Sequence, residues 1–281
     1  MKKIVFTKKD TAELIEAKDR APENGEVRIK LAFSTVSAGT ERALLTGNEE
    51  GGENFRFGFP SSSGYSGSGI ITDIGPDVTE YKVGDRVMVH GGGHQQYCTV
   101  PLKEIVPIPD NVSLEEAALV IIAGFSLAAI RKAKICLGDS CLVTGLGILG
   151  LFAVQFAKLS GAYPVIGADF LPERRELAKK LGADIVLDPS DPTFAEQCKS
   201  FNGGMNSAIE VTGNPNALKQ VLSVTAKFGR VILLGCTRDM TEVDFYNDVH
   251  RPGIELIGAI AVRDQPSSHI PAFTPKWMTV A

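Results

Sequence analysis

The sequence predicts an α/β chain in two parts, a β-rich amino-terminal domain followed by a doubly wound parallel sheet with helices on both faces. Three observations carry this. Short alternating or β-branched runs, separated by glycine and proline turns, fill the first hundred or so residues. From about residue 120 onward, short apolar strands alternate with helical segments. Between the first of those strands and its helix stands the turn Gly145-Leu146-Gly147-Ile148-Leu149-Gly150.

In chain order, Ile4-Val5-Phe6 reads as a first strand, its apolar run too short for a secretion signal. Residues 27–33 alternate, 69–74 form a β-branched run, and 86–89 and 97–100 complete the β-rich part. Residues 49–56 are polar and glycine-bearing, the composition of a surface loop. Pro107-Ile108-Pro109-Asp110-Asn111-Val112-Ser113 is a turn-rich boundary, and Ser113 with Glu116 makes a capping box opening an apolar helix through Ala118 and beyond. Strands are then expected at 142–144, 164–168, 185–187, 207–211 and 230–234, with helices at 151–159, 173–181 and 217–226. The domains expected are 1–118 and 119–258, followed by a last stretch, 259–281.

Each residue type in the glycine turn has a physical task. Gly145 allows a tight turn off the strand, Gly147 lets the backbone approach a pyrophosphate, and Gly150 lets helix pack on strand. The free N–H groups that open the helix, at Ile148 and Leu149, face negative charge. Asp169 follows Gly150 by 19 positions, close to the ~20 expected of a carboxylate that accepts hydrogen bonds from an adenosine ribose. The order strand, glycine turn, helix, strand, acid points to a nicotinamide dinucleotide. Asp169 accepts from a free 2′-hydroxyl and repels a 2′-phosphate, and Phe170 offers no phosphate clamp, so NAD(H) is expected over NADP(H). Arg174 and Arg175 are read as solvated helix charges, with one of them able to swing across the adenosine end.

Composition bounds the partner. The 281 residues are 44% hydrophobic and 22% charged, enough for an ample core in one or two domains of an ordinary soluble protein. Twenty-nine basic and thirty-three acidic residues give a net charge of −4 without a long run of like charge. That argues against a nucleic-acid or membrane surface and for a small molecule. No apolar stretch approaches the ~18 residues of a spanning helix. Five scattered cysteines, Cys98, Cys136, Cys141, Cys198 and Cys236, contain no CxxC pair, which supports neither a disulfide framework nor a cysteine zinc cluster. Cys141 and Cys236 read as small core hydrophobes, and a reducing cytoplasm is the expected compartment.

Taken together, the segments resemble the medium-chain dehydrogenase/reductase superfamily, in which a GroES-like β domain precedes a Rossmann cofactor domain. The marks are Gly75-Pro76-Asp77-Val78, Gly84-Asp85-Arg86-Val87, Val106-Pro107-Ile108-Pro109, the glycine turn, Leu181-Gly182-Ala183-Asp184, Glu210-Val211-Thr212-Gly213 and Gly229-Arg230-Val231-Ile232-Leu233-Leu234-Gly235. Ser37-Ala38-Gly39-Thr40-Glu41 and Gly58-Phe59-Pro60 before Gly64-Tyr65 look closest to the subgroup containing bacteriochlorophyllide-type dehydrogenases. Relative to that resemblance, Ala38 stands where zinc-dependent members carry a cysteine, and Tyr65-Ser66 stand for His-Glu. Such donors suit a borderline-soft metal poorly, so catalytic zinc is expected to be absent, as is the structural-zinc lobe. His90 and His94, four apart in a glycine-rich loop, lack an evident third ligand. The superfamily chain continues after Gly258 through a return to the first domain, of which 259–281 resemble only the beginning, either as a shortened form or as a piece of a longer protein.

The resemblance implies a zinc-independent, NAD(H)-linked oxidoreductase acting on an alcohol/carbonyl pair. Reduction of an enone or quinone, or dinucleotide binding without turnover, remain alternatives. Thr40 and Tyr65 are the candidate catalytic hydroxyls. Thr40 could equally be a β-turn residue and Tyr65 an aromatic plug, while Glu41 could order Thr40 or pair with Arg42, the solvated pair being the expected reading. By resemblance, Val211, Thr212, Gly213, Leu234 and Gly235 line the nicotinamide side. His250 and Arg263 are candidates to reach the substrate. Edge strands near 254–261 suggest a homodimer.

Overall fold

The structure, a computed structural model, describes residues 1–47, 58–201, 203–236 and 240–259. The loop expected at 49–56 and Arg263 lie outside the described residues. The chain divides into two compact units between Ile122 and Ala123.

In the first unit, β1 (Lys2–Lys8) and β2 (Thr11–Glu16) form an antiparallel hairpin. The strands β3 (Glu26–Ser34), β4 (Ser66–Ile74), β5 (Arg86–His90), β6 (Tyr97–Pro101) and β7 (Ile105–Pro107) make an antiparallel sheet in the order β6-β3-β4-β5-β7. Alternation selects its core face: Val27, Ile29, Ile71, Val87, Val89, Cys98, Val100 and Ile105 pack together. Burying such side chains contributes about 1.5–3 kcal/mol each. Helix α1 (Ala38–Thr46) follows β3, in a segment for which the sequence predicts no element. The capping box at Ser113 and Glu116 forms, but the helix it opens, α2 (Leu114–Ala117), is a single turn. A second helix, α3 (Val120–Ala133), begins three residues later.

In the second unit, β8 (Cys141–Thr144), β9 (Val165–Ala168), β10 (Ile185–Leu187), β11 (Met205–Glu210), β12 (Thr225–Leu233) and β13 (Glu255–Gly258) make a parallel sheet in the order β10-β9-β8-β11-β12-β13. Helices α4 (Ile148–Leu159), α5 (Pro172–Lys180), α6 (Phe194–Lys199) and α7 (Pro215–Val224) connect the strands. Alternate residues bury on opposite faces: Cys141, Val143, Val165, Ile209 and Ile232 with α3 and α4, and Leu142, Ile166, Ala208 and Val231 with α6 and α7. That two-sided burial is why these strands read as continuous apolar runs. The expected 217–226 helix ends at Val224, and β12 begins at Thr225 because Thr225 already pairs with Met205.

The strand order reverses at β8: β9 lies on one side and β11 on the other. Such a switch point opens a crevice at the carboxyl ends of the two strands. Among the described residues, no helix is long and apolar enough to cross a membrane.

Candidate active site

Register brings the carboxyl ends of the central strands level. Ala168, Thr144, Glu210 and Leu233 are neighbours in one row across β9, β8, β11 and β12. The residues that follow them, Asp169, Gly145, Val211 and Leu234, therefore lie along a single rim that includes the switch point.

The glycine turn has the shape its sequence requires. Gly145 takes φ +88, and a Cβ on Gly150 would stand 1.9 Å from the Gly145 carbonyl oxygen, so helix α4 can approach β8 only without a side chain there. Gly147 differs: its backbone is extended, and a Cβ would meet nothing within 4 Å. The protein leaves space there for something else. Gly147 is also the N-cap of α4 and supplies no side-chain cap. The amides of Ile148 and Leu149, the first two residues of the helix, have no acceptor within it, as at any helix start. An open cradle, free amides and the positive end of a helix suit a pyrophosphate.

Asp169 is buried at the rim, and its carboxylate ties the neighbourhood together. Oδ2 accepts from the Leu146 amide at 2.8 Å and from Arg174 at 3.4 Å, while Oδ1 accepts from the Leu171 amide at 3.0 Å. Phe170 beside it is exposed. Arg175 is not the solvated charge expected from sequence: it donates to the carbonyls of Asp169 and Phe170 and pairs with Asp188 at 3.0 Å. With those acceptors so close, the guanidinium gains three partners by folding back over the start of α5.

Across the switch point, Glu210 is fully buried at the end of β11. It accepts from the Thr212 amide at 2.7 Å, the Thr212 hydroxyl and the Gly213 amide at 3.1 Å, which curls Val211–Gly213 around the carboxyl group. Desolvation pushes this carboxyl above its ordinary value of 4.5, and the hydrogen bonds from Thr212 and Gly213 oppose the shift. Gly213 and Gly235 pack closely, each glycine's Cβ position falling against the other loop's backbone. Leu234 is buried beside them. Cys236 is exposed, a correction to its expected place in the core: β12 has ended by then and the side chain leaves the sheet. The buried thiols Cys98, Cys141 and Cys198 are pushed up to about 12 by burial, which removes them as nucleophiles near neutral pH.

In the first unit, Thr40 lies in the first turn of α1 and is not a β-turn residue; its amide bonds the Ser37 carbonyl and its hydroxyl lies 3.5 Å from that of Ser37. Tyr65 immediately precedes β4, and its carbonyl accepts from Gly91. Glu41 is a second correction. It is buried and not paired with Arg42 in solvent, because the turn of α1 directs it inward to His94, with His94 Nε2 at 3.3 Å from its Oε1. His94 Nδ1 in turn lies 2.9 Å from Ser34 Oγ. His90, by contrast, pairs with Glu104 at 2.8 Å. His250, in a wide turn over Phe245–His250, stacks on Tyr246.

The zinc positions of the resembled superfamily do not fit a metal here. Ala38 presents a methyl group, Tyr65 a phenol, and Ser66 a hydroxyl that already donates to the Ala118 carbonyl at 2.5 Å. Among the described residues there is no group of three or more His, Cys, Asp or Glu that could hold a metal ion.

The sequence matches two family models, "Alcohol dehydrogenase GroES-like domain" over residues 23–110 and "Zinc-binding dehydrogenase" over 149–274. It is 31% identical to (R,R)-butanediol dehydrogenase of Bacillus subtilis over 73% of this chain and 67% of the relative. L-threonine 3-dehydrogenase of Pyrococcus horikoshii is 32% identical over 88% and 79%, and D-guloside 3-dehydrogenase of Escherichia coli 32% over 86% and 75%. The crystal structure of 2R,3R-butanediol dehydrogenase from B. subtilis superposes with a TM-score of 0.81 at 26% identity, covering 94% of this chain and 85% of that one. An E. coli alcohol dehydrogenase structure complexed with NADH shares the fold, with a TM-score of 0.85 at 22% identity over 99% and 86%.

Proposed function

The chain belongs to the medium-chain dehydrogenase/reductase superfamily as an alcohol-dehydrogenase-like oxidoreductase, and from that premise we propose that it transfers hydride between NAD(H) and an alcohol/carbonyl pair without a catalytic zinc. The observation that carries this reading is the rim of the parallel sheet. There an open cradle at Gly147, uncapped amides of α4 and the buried Asp169 carboxylate line up at the switch point. When bound, the nicotinamide supplies the redox chemistry, and the protein's part is to hold it and to manage the substrate's proton.

The Asp169 carboxylate, with the withdrawal of Arg175 onto Asp188, favours NAD(H), and Arg174 beside Asp169 is already engaged by that carboxylate. Relatives named for butanediol, threonine and a guloside, all hydroxyl-bearing compounds, support the alcohol/carbonyl class. Thr40 and Tyr65 are the hydroxyls proposed to meet the substrate oxygen, and Val211–Gly213 with Leu234 and Gly235 the nicotinamide side. The methyl group at Ala38 and the hydroxyls at Tyr65 and Ser66 support the zinc-independent reading. We place the protein in the cytoplasm, where its five thiols stay reduced, as a homodimer joined at the β13 edge of the sheet.

The test combines NADH fluorescence titration, a panel of alcohols, ketones and enones, and metal analysis before and after chelation. Saturable NADH binding with alcohol oxidation that survives chelation supports the reading. Activity lost to chelation and restored by zinc overturns its metal clause, turnover of enones alone overturns its substrate class, and absent NADH binding overturns it entirely. Light scattering separates monomer from dimer.

A further inference from the structure

Glu210 ends β11, level with Ala168, Thr144 and Leu233 in the row that leads to the rim. It organises two loops at once. Its side chain gathers the loop that follows it: Oε1 accepts from the Thr212 amide at 2.7 Å and from the Thr212 hydroxyl, and Oε2 accepts from the Gly213 amide at 3.1 Å. Its backbone carbonyl gathers the loop after β12, accepting from the amides of Leu234 at 2.9 Å and Gly235 at 2.8 Å. The Thr212 hydroxyl in turn accepts from the Asn214 amide at 3.0 Å, and Asn214 caps α7. One residue thus bonds Thr212, Gly213, Leu234 and Gly235, all on the proposed nicotinamide side.

Peptide geometry makes this hold directional. The N–H and the carbonyl of one trans peptide point opposite ways, so amides of Thr212 and Gly213 turned to the carboxyl group leave the carbonyls of Val211 and Thr212 turned away from it. The loop is also wedged: a Cβ on Gly235 would stand 2.4 Å from the Gly213 nitrogen, and one on Gly145 would stand 2.7 Å from Thr212 Cγ2. The second contact joins the loop to the glycine turn. With a diphosphate at Gly147 and one ribose at Asp169 after β9, the other half of a dinucleotide extends across the switch point, where β11 ends. Burial pushes the Glu210 carboxyl above its ordinary 4.5, whereas Ala168, its counterpart at the end of β9, is buried without such a penalty. Ionisable groups held at that cost gather at functional sites.

We propose that Glu210 is the positioning residue of the nicotinamide half of the cofactor site, a role that rests on the NAD(H) reading above. Fully buried, Glu210 acts through its neighbours and touches neither cofactor nor substrate. It fixes the course of residues 211–213 and 234–235, and those two loops orient the ring for hydride transfer. The adenosine half is held separately, by Gly147 and Asp169. Loosening the Glu210 hold is therefore expected to separate two ligands: NADH, which carries the ring, and ADP-ribose, which has the diphosphate and the adenosine but lacks the ring.

Glu210→Gln keeps the shape of the side chain but sets an NH2 donor against the amides that the carboxyl group accepted. In calorimetric titrations of the whole chain, NADH is expected to weaken about tenfold, the order of one lost hydrogen bond, with ADP-ribose within about twofold of wild type. In turnover, kcat is expected to fall about 10²-fold, the effect of a reacting group misplaced by about 1 Å. Thr212→Val, which removes the hydroxyl that bonds Glu210, is expected to shift the two ligands in the same sense, and Thr212→Ser, which keeps it, to match wild type. That pair carries the test if Glu210→Gln does not fold. Both ligands weakened alike, or neither weakened while wild type binds both, overturns the positioning role and leaves the cofactor reading intact. A wild type that binds neither NADH nor ADP-ribose removes that reading and this role with it.

Discussion

Gly147 and Gly150 stand three residues apart in one turn and are glycine for different reasons. At Gly150 a methyl group would collide with the Gly145 carbonyl, so Gly150→Ala must force β8 and α4 apart. Overpacking of this kind costs about 1–3 kcal/mol, and a lower urea midpoint should accompany any loss of NADH binding. At Gly147 the methyl enters open space on an extended backbone, so Gly147→Ala should leave the urea midpoint within about 0.5 kcal/mol of wild type. It should nonetheless weaken NADH at least tenfold by occupying the cradle. Equal NADH affinity in Gly147→Ala would show that no diphosphate comes close there. Glu210 makes a second prediction at this scale. Its carboxyl is raised in the folded protein above its ordinary 4.5, so the folded state holds the proton more tightly than the unfolded chain. That contribution is fully present below pH 4.5 and is lost as pH rises through the raised value. Glu210→Gln removes the titration, so urea midpoints taken from pH 4 to 8 should move in the variant's favour as pH rises. Parallel midpoint curves would show that burial does not govern this carboxyl.

Elements were legible where local chemistry and burial agree. Ser113 with Glu116 announces the start of α2, and both halves of the box form, the Ser113 side chain accepting from the Glu116 amide at 3.1 Å and the Glu116 carboxylate from the Ser113 amide at 2.8 Å. Ser113→Ala should therefore cost about 1 kcal/mol, read as a lower urea midpoint. A change below about 0.3 kcal/mol would mean that Ser68, which bonds the Leu114 carbonyl from β4, holds the turn by itself. The glycine turn and the strands of the parallel sheet were readable because each is set by neighbours in sequence or by two-sided burial. β2 was not, since Thr11–Glu16 is almost wholly exposed and lacks an inward face to impose period two. α1 was missed because it opens on Ala38-Gly39-Thr40, without a side-chain cap to announce it. The length of the capped helix was also overread: the apolar pattern continues past Ala118, but the backbone breaks before Val120. The Ser34–His94–Glu41 chain lay beyond any local reading, since 53 residues separate His94 from Glu41 and only the fold brings them together.

Over the whole molecule, the proposed chemistry is divided between the units. Gly147, Asp169, Glu210 and Leu234 belong to the unit after Ala123, and Thr40 and Tyr65 to the unit before it. Such a division separates holding the cofactor from handling the proton, and it makes a spatial prediction about ligand linkage. A ligand that binds only the folded state stabilises it by about 2.7 kcal/mol at a concentration a hundredfold above its Kd. If the rim of the parallel sheet is the NADH site, the gain in amide-exchange protection must be largest at residues 145–151, 169–171 and 210–214, where uncapped amides and the Asp169 and Glu210 hydrogen bonds lie. The β1–β2 hairpin, which shares no strand with that sheet, should exchange as before. NADPH at equal concentration should protect the same segments less, because Asp169 would face a 2′-phosphate. Replacing Asp169 by Ala should narrow that difference while also slackening the Leu146 and Leu171 amides that the carboxylate holds. Protection spread evenly over both units, or greatest in the hairpin, would place the dinucleotide elsewhere and detach the glycine turn from the function assigned to it.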